Sequence, residues 1–521
     1  MRLATARLVL LAVLPLLTHC ATAPSLRGVE PSYALPPVAG GAIDAAVVQE
    51  LDDLQGGSAV RLVEQNAMAF AYRAASAAAA TRSLDVQYYI WNDDLTGRLL
   101  AAELMRAAER GVRVRVLVDD VDARAKHDLF RVADLHPNVE VRLFNPYYSR
   151  TGTLGMLTEW VWRSKRLNRR MHNKAWIADN RVAIVGGRNI GDEYFGASGH
   201  SNFSDLDVVL AGPSVADVSA AFDLYWNDPN AVPVSRFEGK PPRPEELDRL
   251  VQLARDYPRQ AGDTPYVQAL QDEETRAAML AKRPPPLAVE RVQLLVDDPA
   301  KVGAKTDGLG ASNVLGGLVA VIGGAGNELL IVSPYFVPRK EGTQYLVQGV
   351  ERGIRTAVLT NSLAATDVAA VHVGYARQRR ELLRGGVELY EMKRKAGSEE
   401  GRSQISLTGS SGASLHTKAM IIDRRWVFIG SMNLDPRSAY LNTEMGVLVE
   451  SPALAEQVRS QFERATTPEL SYHVVLDGKE GLVWYDRVQG RERRLEREPD
   501  ASAGRRLEVT LLRVLPIDSL L

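Results

Sequence analysis

Two stretches of this chain are nearly the same: residues 172–189, HNKAWIADNRVAIVGGRN, and residues 416–433, HTKAMIIDRRWVFIGSMN. Both follow the pattern H-x-K-x4-D-x6-G-[GS]-x-N without a gap. In an extended segment, side chains two residues apart project from the same face, so each histidine shares a face with its lysine. The sequence therefore predicts one catalytic half-site that is present twice.

The residues around each histidine predict a strand, a tight turn and a second strand, because apolar runs flank a polar turn at Asp179 and at Asp423. The glycine pair, or Gly-Ser, lets the backbone approach a bound group. Asn189 and Asn433 then offer side-chain amides, and we expect both to bind substrate. The candidate catalytic residues are His172, Lys174, Asp179, His416, Lys418 and Asp423.

Paired histidines suit the exchange of a phosphodiester. One histidine attacks phosphorus while the other protonates the leaving oxygen, and a phosphohistidine results. Lys174 and Lys418 would hold the non-bridging oxygens as charge develops. This chemistry needs no metal and no cofactor, and Asp179 and Asp423 stand at turns, not beside a histidine in a metal-ligand spacing.

The paired motif resembles that of the phospholipase D superfamily, whose signature is two HKD motifs. The resemblance and the internal repeat predict an α/β fold of two similar phospholipase D-like α/β/α domains, packed about a pseudo-two-fold axis with the active site at their interface. The resemblance also implies that Asp179 and Asp423 mainly support the structure of the motif. It further implies that a downstream carboxylate orients each histidine, and Asp207 and Glu444 occupy that place.

The composition excludes some classes of protein. A chain of 521 residues is too long for one ordinary core, so two or more domains are expected. The net charge of −1 provides no overall attraction to nucleic acid, and a nuclease would be expected to have a long basic groove with stacking aromatic residues. The one cysteine, Cys20, allows neither a disulfide nor a cysteine-based metal site.

The N-terminus predicts export to the bacterial cell envelope. Arg2 and Arg7 precede an apolar run, Leu8 to Leu17, that has the length of a signal segment. Residues 17–20, LTHC, resemble a lipoprotein box in which Cys20 is lipidated, although His19 departs from the usual small residue. A plain secretory signal, an uncleaved anchor or an incorrectly assigned chain start are the alternatives. We expect a membrane-associated protein anchored through Cys20.

The order of patterns along the chain extends the repeat beyond the motifs. Leu95 to Arg110 predicts a helix and Val112 to Val118 a strand, and the same pair recurs at Gly342 to Arg352 and Ile354 to Thr360. The alanine-rich stretch Ser58 to Arg82 predicts a helix. The predicted organisation is a signal segment (1–23), a flexible tether (24–57), a first half (58–227), a Pro-rich connector (228–290), a second half (291–465) and a C-terminal extension (466–521).

Two features next to His172 bear on the substrate. A basic run contains Arg163, Lys165, Arg166, Arg169, Arg170 and Lys174. It is either a solvated basic face or a funnel for an anionic headgroup. The apolar residues just before it are Leu154, Met156, Leu157, Trp160, Val161 and Trp162. They form either a membrane-interface element or a core helix.

Within the superfamily, the chain most resembles bacterial cardiolipin synthases of the C-type group. The stretches that carry this resemblance are QYYIW (87–91), DLTG (94–97), DDP (297–299), SPYFVP (333–338), HVGYA (372–376) and LPID (515–518). The group joins two phospholipids by passing a phosphatidyl group to phosphatidylglycerol, and it is associated with phosphatidylethanolamine as donor.

The resemblance therefore implies phospholipid substrates and action at a membrane surface, and the net charge of −1 with one local basic run argues against a nucleic-acid partner. It carries no prediction of oligomeric state. The alternative activities are a hydrolytic phospholipase D and another phosphodiesterase or nuclease. A non-catalytic, membrane-tethered lipid binder would need a damaged motif, and both copies are intact.

Overall fold

The computed structural model describes residues 23–37, 39–51, 57–150, 153–199, 201–289, 291–303, 312–394 and 414–513. The predicted signal segment with Cys20 and the LPID stretch at 515–518 lie outside the described residues. In the described part of the chain, no helix is both long enough and apolar enough to cross a membrane.

The strands are β1 (Ser58–Val63), β2 (Ser83–Tyr88), β3 (Arg113–Asp119), β4 (Val139–Phe144), β5 (Ala175–Ala178), β6 (Val182–Gly186), β7 (Phe203–Ser204), β8 (Asp207–Ala211), β9 (Ala231–Pro233), β10 (Leu287–Val289), β11 (Arg291–Val296), β12 (Glu328–Val332), β13 (Arg355–Asn361), β14 (Glu388–Met392), β15 (Ser414–Leu415), β16 (Ala419–Ile422), β17 (Trp426–Gly430), β18 (Met445–Glu450), β19 (Ser471–Leu476), β20 (Leu482–Val488) and β21 (Arg491–Leu495).

The α-helices are α1 (Ala42–Leu51), α2 (Asn66–Ala79), α3 (Leu95–Glu109), α4 (Asp120–Ala123), α5 (His127–Ala133), α6 (Thr153–Leu167), α7 (Asp192–Phe195), α8 (Ser214–Trp226), α9 (Pro244–Gln260), α10 (Pro265–Gln271), α11 (Glu273–Ala281), α12 (Asn313–Gly323), α13 (Arg339–Glu351), α14 (Ala369–Arg384), α15 (Pro436–Tyr440), α16 (Pro452–Ala465) and α17 (Ala503–Leu512).

The two halves contain equivalent sheets. Among the described residues, the first sheet has the strand order β10-β1-β8-β6-β5-β2-β3-β4-β9. The second has the order β11-β18-β17-β16-β12-β13-β14-β19-β20-β21. Eight strands correspond one to one, from β1 and β11 at one side to β9 and β19 at the other. In each half three strands run parallel and the strands of the motif run antiparallel to them. The predicted duplicated α/β fold is confirmed.

The largest apolar contact between the halves lies between the two sheets. Leu62 and Ile177 of the first half share one buried cluster with Leu330 and Ile421 of the second. Helices α8 and α16 add apolar side chains to the same cluster. Two further clusters lie under helices on the outer faces of the sheets. The halves are therefore held together mainly by apolar burial over a continuous surface.

The residues at 58–63 form a strand, not the start of the predicted helix. Strand β1 pairs with β8 on one side and with β10 on the other, and five of its six residues are buried. The alanine-rich helix α2 begins only at Asn66. Pairing with two strands that are distant in sequence outweighs the local helix propensity of this stretch.

The predicted tether at 24–57 is wrong for its described residues, because they are ordered against the first half. The backbone amide of Ala34 donates to the Asp223 carboxylate (2.7 Å) and the Trp226 indole donates to the Ser32 hydroxyl (2.9 Å). Residues 42–51 form α1, which buries Ile43 in the outer cluster of the first half. These partners lie almost two hundred residues away in sequence, so local composition gave no sign of them.

The predicted connector and C-terminal extension both contribute strands. Strand β9 pairs with β4 and strand β10 pairs with β1, so both ends of the 228–290 segment belong to the first sheet. Between these strands the segment forms the helices α9, α10 and α11. Strands β19 to β21 continue the second sheet from β14. The basic and acidic stretch after residue 487 forms one side of a hairpin and then α17.

Candidate active site

The two motifs meet at one edge of the two sheets. Strand β5 runs antiparallel to β2, and β16 runs antiparallel to β12. Residues just before β5 and β16 therefore lie at the carboxyl ends of the parallel strands. His172 and His416 both occupy this position, which is where open α/β sheets commonly place their ligand sites.

Each histidine segment is hydrogen-bonded to the opposite half. The backbone amide of His172 donates to the Thr443 carbonyl (2.9 Å), and the amide of Thr443 donates to the Arg170 carbonyl (2.9 Å). On the other side, the amide of His416 donates to the Ser204 carbonyl (2.8 Å), where β7 and β15 pair in parallel. The docking of the halves thus fixes the backbone of both histidine segments.

The carboxylate that contacts each histidine also comes from the opposite half. The Nδ1 atom of His172 lies 2.8 Å from the Glu444 carboxylate, and that of His416 lies 2.5 Å from the Asp205 carboxylate. A carboxylate at Nδ1 fixes the ring and its tautomer and leaves Nε2 to attack or to donate a proton. The site is therefore composite, since neither half holds a complete histidine–carboxylate pair.

The prediction for Asp207 is wrong, because Asp205 holds His416. The strand registers explain the difference: Gly186 pairs with Asp207, and Gly430 pairs with Gly446. Asp207 is therefore the counterpart of Gly446, and Asp205, two residues earlier, is the counterpart of Glu444. The Asp207 carboxylate is instead buried against the Arg73 guanidinium (2.9 Å) and the Arg188 guanidinium (3.4 Å).

The second small residue of each motif makes room for the orienting carboxylate. A Cβ atom at Gly187 would lie 2.4 Å from a carboxylate oxygen of Asp205, so no larger residue fits there. Ser431 takes the same position in the second copy, and its hydroxyl donates to Glu444 (2.5 Å). The two histidines therefore have similar but not identical support.

The two motif lysines are buried close to both carboxylates. Burial lowers the pKa of Lys418 to about 8, although Asp205 and Glu444 act to raise it. Burial also holds the pKa of Lys174 well below its ordinary value, and the charge of Lys418 lowers it further. Two buried ammonium groups that repel each other are stabilised by an anion placed between them, which suits a phosphate.

Aromatic rings enclose both histidines. The edge of Tyr89 meets the His172 ring at 5.0 Å between centroids, and Tyr194 and Phe203 contact the His416 ring at 5.3 and 5.0 Å. Burial lowers the pKa of each histidine to about 4, against the opposing charge of its carboxylate. Both rings are therefore neutral at pH 7 without substrate, and an anionic phosphate favours the protonation of one of them.

Asp179 and Asp423 do not reach the histidines, so the prediction that they are catalytic is wrong and the structural role holds. Each lies at the far end of its motif strand. The Asp179 carboxylate accepts backbone hydrogen bonds from residues 81, 82 and 83 (2.8–3.2 Å). The Asp423 carboxylate accepts them from residues 326, 327 and 328 (2.7–2.9 Å). Both fix the start of the first parallel strand of their half.

We expect Asp179→Ala to lower the stability of the protein and to have little effect on the activity of the folded molecules. Its removal leaves three backbone amides without their acceptor, which costs about 2–4 kcal/mol of stability. Thermal unfolding followed by circular dichroism should show a lower midpoint, while activity per folded molecule stays within about threefold. Asp423→Ala should behave the same way. A complete loss of activity in a protein that unfolds at the normal temperature would contradict this role.

The two motif asparagines differ in their hydrogen-bond partners. The Asn189 amide donates to the Tyr194 hydroxyl (3.0 Å), and its carbonyl accepts from the Ile90 amide (3.3 Å), so it supports the aromatic wall beside His416. Asn433 is 5% exposed, and its side-chain oxygen has no hydrogen-bond partner among the described residues. Substrate binding by Asn433 stays a prediction.

A second pair of positioning residues was not predicted. Asp119 and Asn361 end the matching strands β3 and β13. Asp119 accepts from the backbone amide before His172 (2.8 Å), and Asn361 accepts from the amide before His416 (3.1 Å). Burial raises the pKa of Asp119 to about 6, and the adjacent Arg170 opposes that rise. In the sequence, the Asp119-Asp120 pair directly after the predicted strand Val112 to Val118 was the feature that could have indicated this role.

Four arginines of the basic run before His172 have partners inside the protein, so the run as a whole is neither a solvated basic face nor a headgroup funnel. Arg169 donates to the Lys301 carbonyl (2.7 Å), and Arg170 pairs with Asp119 (3.0 Å). Both side chains are therefore used in contacts inside the protein. Arg163 and Arg166 pair with the buried Glu159. Lys165 is the cation of the run that is open to solvent, and it lies on α6 near exposed apolar residues.

This geometry defines an enzyme site of the paired-histidine phosphodiester-transfer type. A family model described as "Cardiolipin synthase, PLD-like domain" matches residues 75–226 and 318–466, the two halves described above. The chain belongs to this family of the phospholipase D superfamily.

Individual relatives agree with this assignment. The chain is 42% identical over 468 residues to a protein named Cardiolipin synthase C from Escherichia coli (strain K12), covering 88% of this chain and 95% of that one. It is 25% identical over 383 residues to Cardiolipin synthase B from the same strain, covering 74% of each. The solved structure of phosphatidylserine synthase from Haemophilus influenzae Rd KW20 shares the fold, with a TM-score of 0.55 at 13% identity over 91% of this chain and 99% of that one.

Proposed function

We propose that the protein is a phosphatidyltransferase that makes cardiolipin from phosphatidylglycerol and a second phospholipid through a phosphohistidine. The observation that carries this proposal is the composite site, in which each motif histidine is oriented by a carboxylate of the other half. The 42% identity to Cardiolipin synthase C supports the lipid substrates. The resemblance to the C-type group supports phosphatidylethanolamine as the donor.

The reaction proceeds in two half-reactions. In the first, Nε2 of one histidine bonds to phosphorus, and the oxygen of the donor headgroup leaves with a proton from the other histidine. In the second, the acceptor hydroxyl returns a proton to that second histidine, and its oxygen displaces the phosphohistidine nitrogen. Lys174 and Lys418 offset the charge on the non-bridging oxygens in both steps.

Product analysis tests the proposal. The full chain is incubated with vesicles of phosphatidylglycerol and phosphatidylethanolamine, and the lipids are identified by mass spectrometry. We expect cardiolipin and free ethanolamine, with no effect of a metal chelator. Phosphatidic acid as the main product would make the protein a hydrolytic phospholipase D, and cleavage of DNA without lipid turnover would make it a nuclease.

Helix α6 supports the membrane surface as a partner. Glu159 anchors the helix, because its carboxylate accepts from the backbone amides of Tyr148 and Ser149 (2.8–3.0 Å). Two tryptophans close to Glu159 in sequence are nevertheless open to solvent, with Trp160 50% and Trp162 77% exposed, and α6 ends at Leu167, five residues before His172. Tryptophan beside cationic residues is typical of elements at the level of lipid headgroups.

Replacing both exposed tryptophans is expected to change the products. At the bilayer surface the site excludes water and meets concentrated lipid hydroxyl groups, so transfer outcompetes hydrolysis. Trp160→Ser with Trp162→Ser should raise the ratio of phosphatidic acid to cardiolipin about fivefold or more while phosphohistidine still forms. Tyr485→Ser, at an exposed aromatic residue of β20 in the outer strands of the second sheet, is the control. An unchanged ratio in the double variant would refute the role of α6.

We also propose that the protein is held in the bacterial cell envelope by a lipid on Cys20. The support is the apolar run before the one cysteine of the chain. Cys20→Ser should abolish incorporation of labelled fatty acid and move the protein out of the membrane fraction. If the wild-type protein incorporates no fatty acid, the segment is an ordinary signal or anchor, and Cys20→Ala with unchanged fractionation would confirm that outcome.

A further inference from the structure

The C-terminal helix α17 has one packed face and one apolar face that is open to solvent. Val509 packs against Val337, Leu363 and Val371 of the second half. On the other side, Leu507 is 60% exposed and Leu511, one helical turn further, is 59% exposed. These two leucines form a small apolar stripe without a partner among the described residues.

Helix α17 lies at the same edge of the sheets as the catalytic histidines. Its Arg505 guanidinium donates to the Thr366 carbonyl (2.7 Å), in the loop that follows β13. The preceding residue of that loop, Ala365, accepts from the Ser414 hydroxyl (2.9 Å), two residues before His416. Helix α17 therefore lies in the second half beside the His416 segment, and its leucine stripe is on the side of the helix turned away from the Thr366 loop.

A buried ionic network fixes the chain just before α17. The Arg379 guanidinium pairs with Glu498 (2.9 Å) and with Glu391 (3.3 Å), and the His372 ring lies 3.3 Å from Glu498. The Tyr375 hydroxyl and the Trp484 indole also donate to Glu391. Burying charges is costly unless they are paired, so a network of this kind gives a defined position more than stability. The network therefore fixes the position of the segment between β21 and α17, which leads the chain back to the edge of the sheets that holds the histidines.

The charges around the stripe are mainly positive. Arg506 on α17 and Arg513 directly after it are exposed, and Glu508, the exposed acid of the helix, pairs with Arg505 (3.0 Å). An apolar stripe bordered by arginines is the pattern of a helix that lies in a lipid interface, with leucines among the acyl chains and guanidinium groups at anionic headgroups. A second protein chain would usually bury a larger apolar patch than two leucines.

We propose that α17 docks into the same phospholipid surface as α6, so that the two halves contact the bilayer on opposite sides of the catalytic pair. The inference rests on the proposed membrane partner and adds a second contact surface. Two contacts on either side of the histidines set the orientation of the site mouth, whereas one contact would leave the protein free to tilt. The ligand is a bilayer surface that carries anionic headgroups.

Hydrogen exchange measured by mass spectrometry on the full chain tests this proposal. With vesicles that contain phosphatidylglycerol, we expect slower exchange of the amides of 503–513, by about tenfold or more, than with vesicles of phosphatidylcholine alone. Leu507→Ser with Leu511→Ser should remove this protection and leave that of α6 in place. The matched control is Leu253→Ser with Leu280→Ser, at residues 52% and 55% exposed in the 228–290 segment.

Two results of the exchange measurement would overturn the proposal. One is exchange at 503–513 that phosphatidylglycerol vesicles leave unchanged in the wild-type protein. The other is protection that appears without vesicles and increases with protein concentration, which would make the stripe a contact between copies of the chain. Neither readout requires turnover, so failure of the proposed reaction would leave this test intact.

Turnover supplies a second, independent readout. The serine pair on α17 should lower the rate on lipid in vesicles about fivefold or more and leave the rate on lipid dispersed in detergent within about twofold. Glu498→Gln, which weakens the network that places the helix, should produce the same pattern in a protein that is still folded. Equal losses in vesicles and in detergent would show a structural role only and overturn the proposal.

Discussion

Replacing either His172 or His416 with alanine is expected to lower turnover by at least about 10⁴-fold, because each ring takes part in both half-reactions. The two losses should be alike, and the double variant should be no worse than either single one, as for residues that act as one unit. Steady-state rates on phosphatidylglycerol vesicles with a labelled donor provide the measurement.

The control for this pair is His473→Ala, at an exposed residue of β19 that stacks on Tyr390. It should retain nearly full activity. Both single variants should stay folded with a slightly lower unfolding temperature than the wild type, because each leaves a buried carboxylate, Glu444 or Asp205, without its ring partner. More than about one per cent of wild-type activity in either variant would contradict a shared site.

The second large effect is expected from the orienting carboxylates. Asp205→Asn and Glu444→Gln keep the shape of each side chain but present an amide to Nδ1, which favours the wrong tautomer of the histidine. We expect each to lower kcat about 10²- to 10⁴-fold with a much smaller change in KM. An equal loss in KM would indicate that the carboxylate binds substrate instead.

Asp207→Asn is the matched control, since it changes the same group two residues further along the chain. Asp207 is buried against Arg73 and Arg188, so its neutralisation leaves two buried guanidinium groups with less compensation. We expect a lower unfolding temperature and near-normal kcat for the folded fraction. If Asp207→Asn lost kcat while Asp205→Asn kept normal activity, Asp207 would be the residue that orients His416, as the sequence predicted.

The duplicated motif was enough to predict the fold, the meeting of the two motif histidines at one site, and the contact of Glu444 with His172. It was not enough to predict Asp205, because the loop before this residue is longer in the first copy. From Gly186 to Asp205 the chain takes more residues than from Gly430 to Glu444, and only the strand register aligns the two. Each histidine is oriented by a carboxylate of the other half, and this pairing depends on how the two sheets pack together. No local sequence pattern indicates that packing.

Long-range pairing also accounts for the other differences. The segment from Leu26 to Pro37 looks like a linker by composition, yet Ser32 and Ala34 contact residues near the end of α8. The basic run before His172 looks solvated, yet Arg169 and Arg170 are used inside the protein. In both cases a polar group forms a hydrogen bond or an ion pair with a residue that is distant in sequence. Composition cannot indicate such a contact.

The most direct test of the central claim, that the paired histidines pass a phosphatidyl group from one lipid to another, is to trap the intermediate. The full chain is mixed with a donor lipid labelled at phosphorus, quenched within one turnover, digested and analysed by mass spectrometry. We expect label on the peptide that holds His172 or on the one that holds His416, and transfer of that label to cardiolipin when phosphatidylglycerol is added. Product that forms at the full rate while neither peptide is ever labelled would contradict this claim.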